Sequence, residues 1–141
     1  VKIYISGPMT GIPEFNGPAF MEAARLLRER GHLVFCPAEE DLKGGLDWHG
    51  MTGKESPEER GFDLRAALFA DLRWIALEAE AICLLPGWRN SRGALAELAL
   101  GAALDIPAGS IEDFTSGGEL ESELASARRY MRLWRAAGDA A

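Results

Sequence analysis

Short apolar runs alternate with segments of helical period along this chain, and that alternation restricts its fold more than any other feature. Lys2-Ile3-Tyr4-Ile5-Ser6 is β-prone and stops at Gly7-Pro8. His32-Leu33-Val34-Phe35-Cys36 is a second such run, closed by Pro37. Ala81-Ile82-Cys83-Leu84-Leu85 is apolar throughout, as a strand buried on both faces should be. Between these runs, Phe20, Ala23, Ala24 and Leu27 share one helical face, and Leu64, Leu68, Leu72 and Ile75 share another. Ile106 stands where a short fourth strand would begin. This β-α-β-α-β-α order predicts a doubly wound, mostly parallel sheet, an α/β three-layer fold of the flavodoxin or Rossmann-like kind. The run at residues 2–6 is expected at the centre of that sheet.

The spacing also sets expected boundaries. Asn16 or Gly17 caps a first helix that runs to about Arg30, with Gly31 just past its end. A second helix starts at Pro57 or Phe62 and reaches Glu78, and a strongly apolar third spans residues 92–104. Residues 41–56 contain Gly44, Gly45, Gly50 and Gly53 together with Trp48, His49 and Met51, and read as a long functional loop able to close over a site. The α/β domain is expected over residues 1–110. A C-terminal helical extension follows over 111–141, with Leu120, Leu124, Ala127, Met131 and Trp134 on one face of a helix near 119–137.

Composition removes several functions. A formal charge of −7 over 141 residues argues against a nucleic-acid polymer as partner, because phosphate backbones call for a concentrated basic face. No apolar stretch approaches membrane-spanning length, and the first residues lack a signal-peptide pattern. Cys36 and Cys83 each sit inside an apolar run and read as buried free thiols, which suits a reducing, cytoplasmic setting. His32 and His49 are too few and too far apart for a metal site, and no cofactor motif occurs.

In open α/β sheets ligands bind beyond the carboxyl ends of the strands, near the switch point of strand order. Two segments fall there. Ser6-Gly7-Pro8-Met9-Thr10-Gly11 follows the first strand, with glycines that admit a ligand and hydroxyls on Ser6 and Thr10. It lacks the Rossmann glycine fingerprint and the Walker lysine, and a Gly-Pro turn is more often only a turn. Pro86-Gly87-Trp88-Arg89-Asn90-Ser91-Arg92-Gly93 follows the third strand, and Ser91 is placed to cap a helix whose free amides can hold an anion. Glu97 stands in that helix among Ala94, Leu95, Ala96 and Leu98, where a carboxylate is costly unless exposed, paired or used. Spacing alone slightly favours a solvated stripe over catalysis for Glu97, and clearly favours a surface charge or a partner for Arg65 or Arg73 at Asp71.

Taken together, these segments resemble the nucleoside 2-deoxyribosyltransferase superfamily, in particular a small branch often associated with phages and prophages. The likeness is carried by Lys2-Ile3-Tyr4-Ile5-Ser6-Gly7-Pro8-Met9-Thr10-Gly11 with Asn16 and Phe20. It continues through Phe62-Asp63-Leu64-Arg65, Asp71-Leu72, Glu80 to Trp88, and Ser91-Arg92-Gly93-Ala94 with Glu97, covering roughly residues 2–107. The resemblance implies that Glu97 attacks the anomeric carbon of a sugar, that Asp71 orients substrate and assists proton transfer, and that Tyr4, Gly7 and Gly11 line the sugar pocket. It also implies a homo-oligomer whose neighbouring subunits complete the site.

Six residues before the nucleophile, the transferases carry an aspartate suited to a 5′-hydroxyl, whereas related 5′-monophosphate N-glycosidases carry a serine. This chain has Ser91, and a neutral donor at a helix start accepts a phosphate that an aspartate would repel. The glycosidases add a serine and an arginine from the strand-one turn; Pro8 and Thr10 stand there here, leaving Arg65, Arg89 or Arg92 to supply the charge. Trp88, Trp48 and Met9 are candidates to sandwich a base. Ser6, Asn16, Gly87, Trp88 and Gly93 complete the expected substrate-binding set. The expected activity is cleavage of the N-glycosidic bond of a nucleoside 5′-monophosphate. The alternatives are deoxyribosyl transfer between bases, a non-catalytic nucleotide-binding module, and an assembly protein.

Overall fold

The computed structural model describes residues 1–116. Its elements are β1 (Lys2–Ser6), α1 (Gly17–Glu29), β2 (Leu33–Phe35), α2 (Pro37–Lys43), α3 (Pro57–Arg60), α4 (Leu64–Leu77), β3 (Ala81–Leu84), α5 (Arg92–Ala103), β4 (Ala108–Ser110) and α6 (Ile111–Thr115). The expected helix near 119–137 lies outside the described residues.

The four strands form one sheet in the order β2-β1-β3-β4, and every pairing is parallel. The doubly wound α/β expectation holds, with β1 central. Strand order reverses between β1 and β3, so the crevice at their carboxyl ends is the switch point. Side chains alternate along β1 and divide the core in two. Ile3 and Ile5 pack with Phe20, Ala24 and Leu27 of α1 and with Phe114 of α6. Tyr4 packs on the opposite face with Ile82, Ile75 of α4 and Leu98 of α5. Phe114 is fully buried, so the compact body continues through α6, beyond residue 110.

Local chemistry explains most boundaries. Pro37 ends β2 and, lacking an N–H to satisfy, opens α2. The long loop expected over 41–56 is shorter than its composition suggested, because α2 occupies its first residues. The helix expected from Pro57 or Phe62 is two helices: Ser56 and Glu59 form a capping box around α3, Gly61 ends it at φ 60°, and Asp63 caps α4. Gly31, at φ 86°, ends α1 as expected.

The entry to α1 is unusual. Glu14, Phe15 and Asn16 all adopt left-handed backbone angles, with φ of 56°, 49° and 61°. Such angles cost roughly 1–2 kcal/mol per residue without glycine. Asn16 therefore precedes α1 without capping it through its side chain; its amide donates to the Pro8 carbonyl at 2.9 Å. The loop from 47 to 56 is stitched to this turn: Gly11 donates to the Gly53 carbonyl at 2.7 Å, and Glu14 to the Met51 carbonyl at 2.8 Å.

Candidate functional site

Glu97 is not on a solvated stripe. It is 7% exposed, although it stands in the second turn of α5. Tyr4 Oη donates to its Oε1 at 2.9 Å and Ser6 Oγ to its Oε2 at 2.5 Å. Both donors come from the same face of β1, being two residues apart on a strand. The Tyr4 ring is fixed by stacking on Phe35 at 5.5 Å and by a tilted contact with Trp74 at 6.3 Å. Burial raises the Glu97 carboxyl above its usual range, while the Ser6 and Tyr4 hydroxyls act the other way by holding the anion. Burial, followed by the charges of Glu97 and Asp71, pushes the Tyr4 phenol well above its usual value, so it remains a proton donor.

Asp71 faces the same centre from α4. Burial pushes its carboxyl up to about 8, and the Glu97 charge adds to the effect. Burial thus raises both carboxyls, and the two hydroxyls on Glu97 hold its anion against that rise.

Asp71 and Glu97 line a cavity of about 150 Å³ with Gly7, Met9, Thr10 and Ser91. Asp41, Arg60, Phe62, Ala67 and Asp71 form a wall shared with an adjoining cavity of about 520 Å³. The smaller cavity falls short of the roughly 300–1,000 Å³ of ordinary ligand sites, and the two together fit that range. A larger hollow of about 690 Å³ lies beside α1, but its charged groups pair with one another, Arg25 with Glu22 and Glu29, and Arg28 with Glu39.

The residues expected from sequence separate into three groups. Glu97, Asp71, Gly7, Met9, Thr10, Ser91 and Gly93 meet at the cavity. Ser91 caps α5, accepting from the Ala94 amide at 3.2 Å, and its hydroxyl proton is left to donate. Gly93 keeps space open: a Cβ there would lie 3.9 Å from Ser91 Oγ and 4.0 Å from Glu97 Oε1. Tyr4 and Ser6 stand behind the cavity and hold Glu97. The third group lies away from it. Pro8 packs against Gly87, Gly11 ties the turn to Gly53, and Asn16 holds the Pro8 carbonyl. Arg65 is exposed on α4 outside the cavity lining.

The aromatic candidates are also corrected. Trp48 is buried, donates to the Ala38 carbonyl at 2.9 Å and packs where a Gly17 Cβ would otherwise be. Trp88 is buried in the core on the α5 side and faces a separate cavity between the ends of β3 and β4. The Arg89 guanidinium lies over the Trp88 ring, 4.4 Å from its centroid. Neither Arg89 nor Arg92 lines the Glu97 cavity, so none of the three arginines expected to supply charge borders it.

Arg60, Asp41 and Phe62 were missed. Ser56-Pro57-Glu58-Glu59 is a capping-box signature with proline at the first helical position, and Gly61 marks the end of that turn. That signal locates α3 but not the direction in which Arg60 projects. Burial pushes Asp41 up to about 6, and the Arg60 charge opposes the shift. Glu80, by contrast, is structural, accepting from the Lys2 amide at 2.7 Å.

Cys36 and Cys83 are free, and burial pushes their thiols up to about 11 and about 12, leaving them unreactive. Among the described residues no helix is long and apolar enough to cross a membrane. No curated protein and no solved structure matches the chain. A family model described as "Domain of unknown function (DUF4406)" matches residues 1–108, the span that holds the whole sheet except its last two residues and every residue lining the cavity. The chain belongs to that family.

Proposed function

We propose that the chain cleaves the N-glycosidic bond of a nucleoside 5′-monophosphate through Glu97. The observation that carries this reading is the carboxyl pair: a buried Glu97 held by Tyr4 and Ser6, with a half-buried Asp71, its carboxyl pushed up to about 8, in the same cavity. A Glu97 oxygen attacks C1′ while the C1′–N bond breaks and its electron pair leaves with the base. Asp71 gives its proton to that base. Water then attacks C1′ of the sugar ester, Asp71 takes the proton of that water, and Glu97 is released as carboxylate. The sugar belongs in the small cavity beside Gly93, the phosphate at the start of α5 near Ser91, and the base in the adjoining larger cavity.

The test is incubation with a panel of ribo- and deoxyribonucleoside monophosphates, with free base followed by chromatography. Glu97→Gln is expected to lower base release by roughly 10³-fold or more while ligand binding survives. Base release by the variant at the wild-type rate would remove Glu97 from the mechanism. Binding without cleavage of any nucleotide by the wild type would favour a sensing module instead. A second free base in the mixture separates transfer, which yields an exchanged nucleoside, from hydrolysis, which yields free sugar phosphate.

A further inference from the structure

Among the described residues, one buried side-chain nitrogen or oxygen lacks a hydrogen-bond partner: Nε of Arg60. Folded proteins rarely leave a buried donor unpaired, and a charged one less often still. The rest of the guanidinium is carefully placed. It lies over the Phe15 ring at 4.3 Å and over the Phe62 ring at 4.7 Å, so two aromatic faces fix its plane. Phe15 is set beneath it by the left-handed turn at residues 14–16, which a sequence without glycine adopts at an energetic cost. No described carboxylate forms an ion pair with Arg60. Asp41, the acidic neighbour that feels its charge, has its carboxyl pushed up to about 6 by burial. Arg60 lines the cavity that holds Glu97, and Ser91 and Gly93 at the start of α5 line it too.

We propose that Arg60 is the residue that recognises the phosphate of the ligand, its guanidinium N–H groups donating to phosphate oxygens while the α5 amides and Ser91 take the rest. This assignment rests on the phosphate-monoester reading above and deepens it by naming the source of positive charge. The planar fork of arginine matches two oxygens of a phosphate, and a lysine ammonium does not reproduce that match. Two rings packed against the guanidinium hold it in place for a ligand in the cavity. Asp41 opposes the anion, so its removal strengthens binding.

The experiment is calorimetric titration of the Glu97→Gln protein, which holds ligand without turnover, with nucleoside monophosphates, the matching nucleosides and inorganic phosphate. Arg60→Gln, Arg60→Lys and Asp41→Asn are then made in that background, with circular dichroism reporting folding. With Arg60 present, monophosphates bind on the order of tenfold or more tighter than nucleosides. Arg60→Gln brings the two within about twofold without weakening the nucleoside, Arg60→Lys keeps only part of the preference, and Asp41→Asn widens it. If Arg60→Gln fails to fold, Arg60→Lys decides. An undiminished preference in Arg60→Lys, or an equal loss for nucleoside and monophosphate, overturns the assignment. Binding of inorganic phosphate that Arg60 variants leave unchanged overturns it as well. Base release by the Glu97-containing protein is measured separately: cleavage of nucleosides without phosphate preference sinks Arg60 alone, whereas an Arg60-dependent preference without any cleavage sinks the glycosidase reading alone.

Discussion

At the scale of the residue, Asp71 makes the sharpest expectations. A carboxyl with a folded value near 8 donates a proton below that pH and loses the ability above it. Base release per encounter, kcat/KM, should therefore fall as pH rises through about 8. It should also fall toward acid pH as Glu97 takes up a proton, and burial moves that limb above the usual carboxylate range. Asp71→Asn should lower kcat by roughly 10²-fold or more and remove the alkaline limb; an unchanged limb would take the acid role from Asp71. The same group affects stability. Unfolded, it ionises near 3.8; folded, near 8. Between those values the folded state binds more protons, so stability falls as pH rises across that window. Asp71→Asn should flatten the decline and leave the empty protein at least ~1 kcal/mol more stable at pH 8, read by urea unfolding at pH 5 and pH 8.

At the scale of the element, α5 carries two glycines with opposite duties. Gly101 lets the helix approach the sheet: a Cβ there would stand 2.5 Å from Ile82 Cδ1. Gly101→Ala should destabilise the fold by roughly 1–3 kcal/mol through overpacking. Gly93 approaches nothing so closely, and its missing Cβ would point into the space beside Ser91 and Glu97. Gly93→Ala should hold or raise the melting temperature, since alanine favours a helix by roughly 1 kcal/mol over glycine. It should at the same time raise KM. Thermal melts beside steady-state kinetics read both effects, and a Gly93→Ala protein that melts lower with unaltered KM would mean the position serves packing. The sequence showed both glycines but not this difference, because whether a glycine faces the sheet or the ligand depends on what packs against it. Strand identities, the Ser91 cap and the alternation of Tyr4 and Ser6 against Ile3 and Ile5 were legible, since each follows from neighbours in the chain. The short α3 was hidden inside a longer expected helix.

At the scale of the whole molecule, the α4–α5 side leaves large apolar groups in water: Phe69 is 69% exposed, Leu64 58% and Leu95 39%. Large exposed apolar groups are candidates for a contact surface. The homo-oligomer implied by resemblance would place its interface here, and Leu64 also lines the Glu97 cavity, so a second copy on this side would reach the site. Phe69→Glu should shift the mass measured by light scattering to a smaller species and weaken substrate binding. A wild-type protein that is monomeric at all concentrations would remove this surface from the account.

The sequence by itself determined the alternation of the strands with the three long helices, the two faces of β1 and the cap that opens α5, because each is written in periodicity or in adjacent residue types. Tertiary structure alone decided what those pieces do together. Tyr4 and Ser6 meet Glu97 across 93 and 91 positions of chain, and that meeting turns an expensive carboxylate in an apolar helix into a buried, hydrogen-bonded one. Burial beside that carboxylate pushes the Asp71 carboxyl up, and a left-handed turn with a one-turn helix carries Arg60, rather than the arginines near the motifs, to the cavity. Charge state and convergence depend on solvent exclusion and on distant neighbours, and local periodicity records neither.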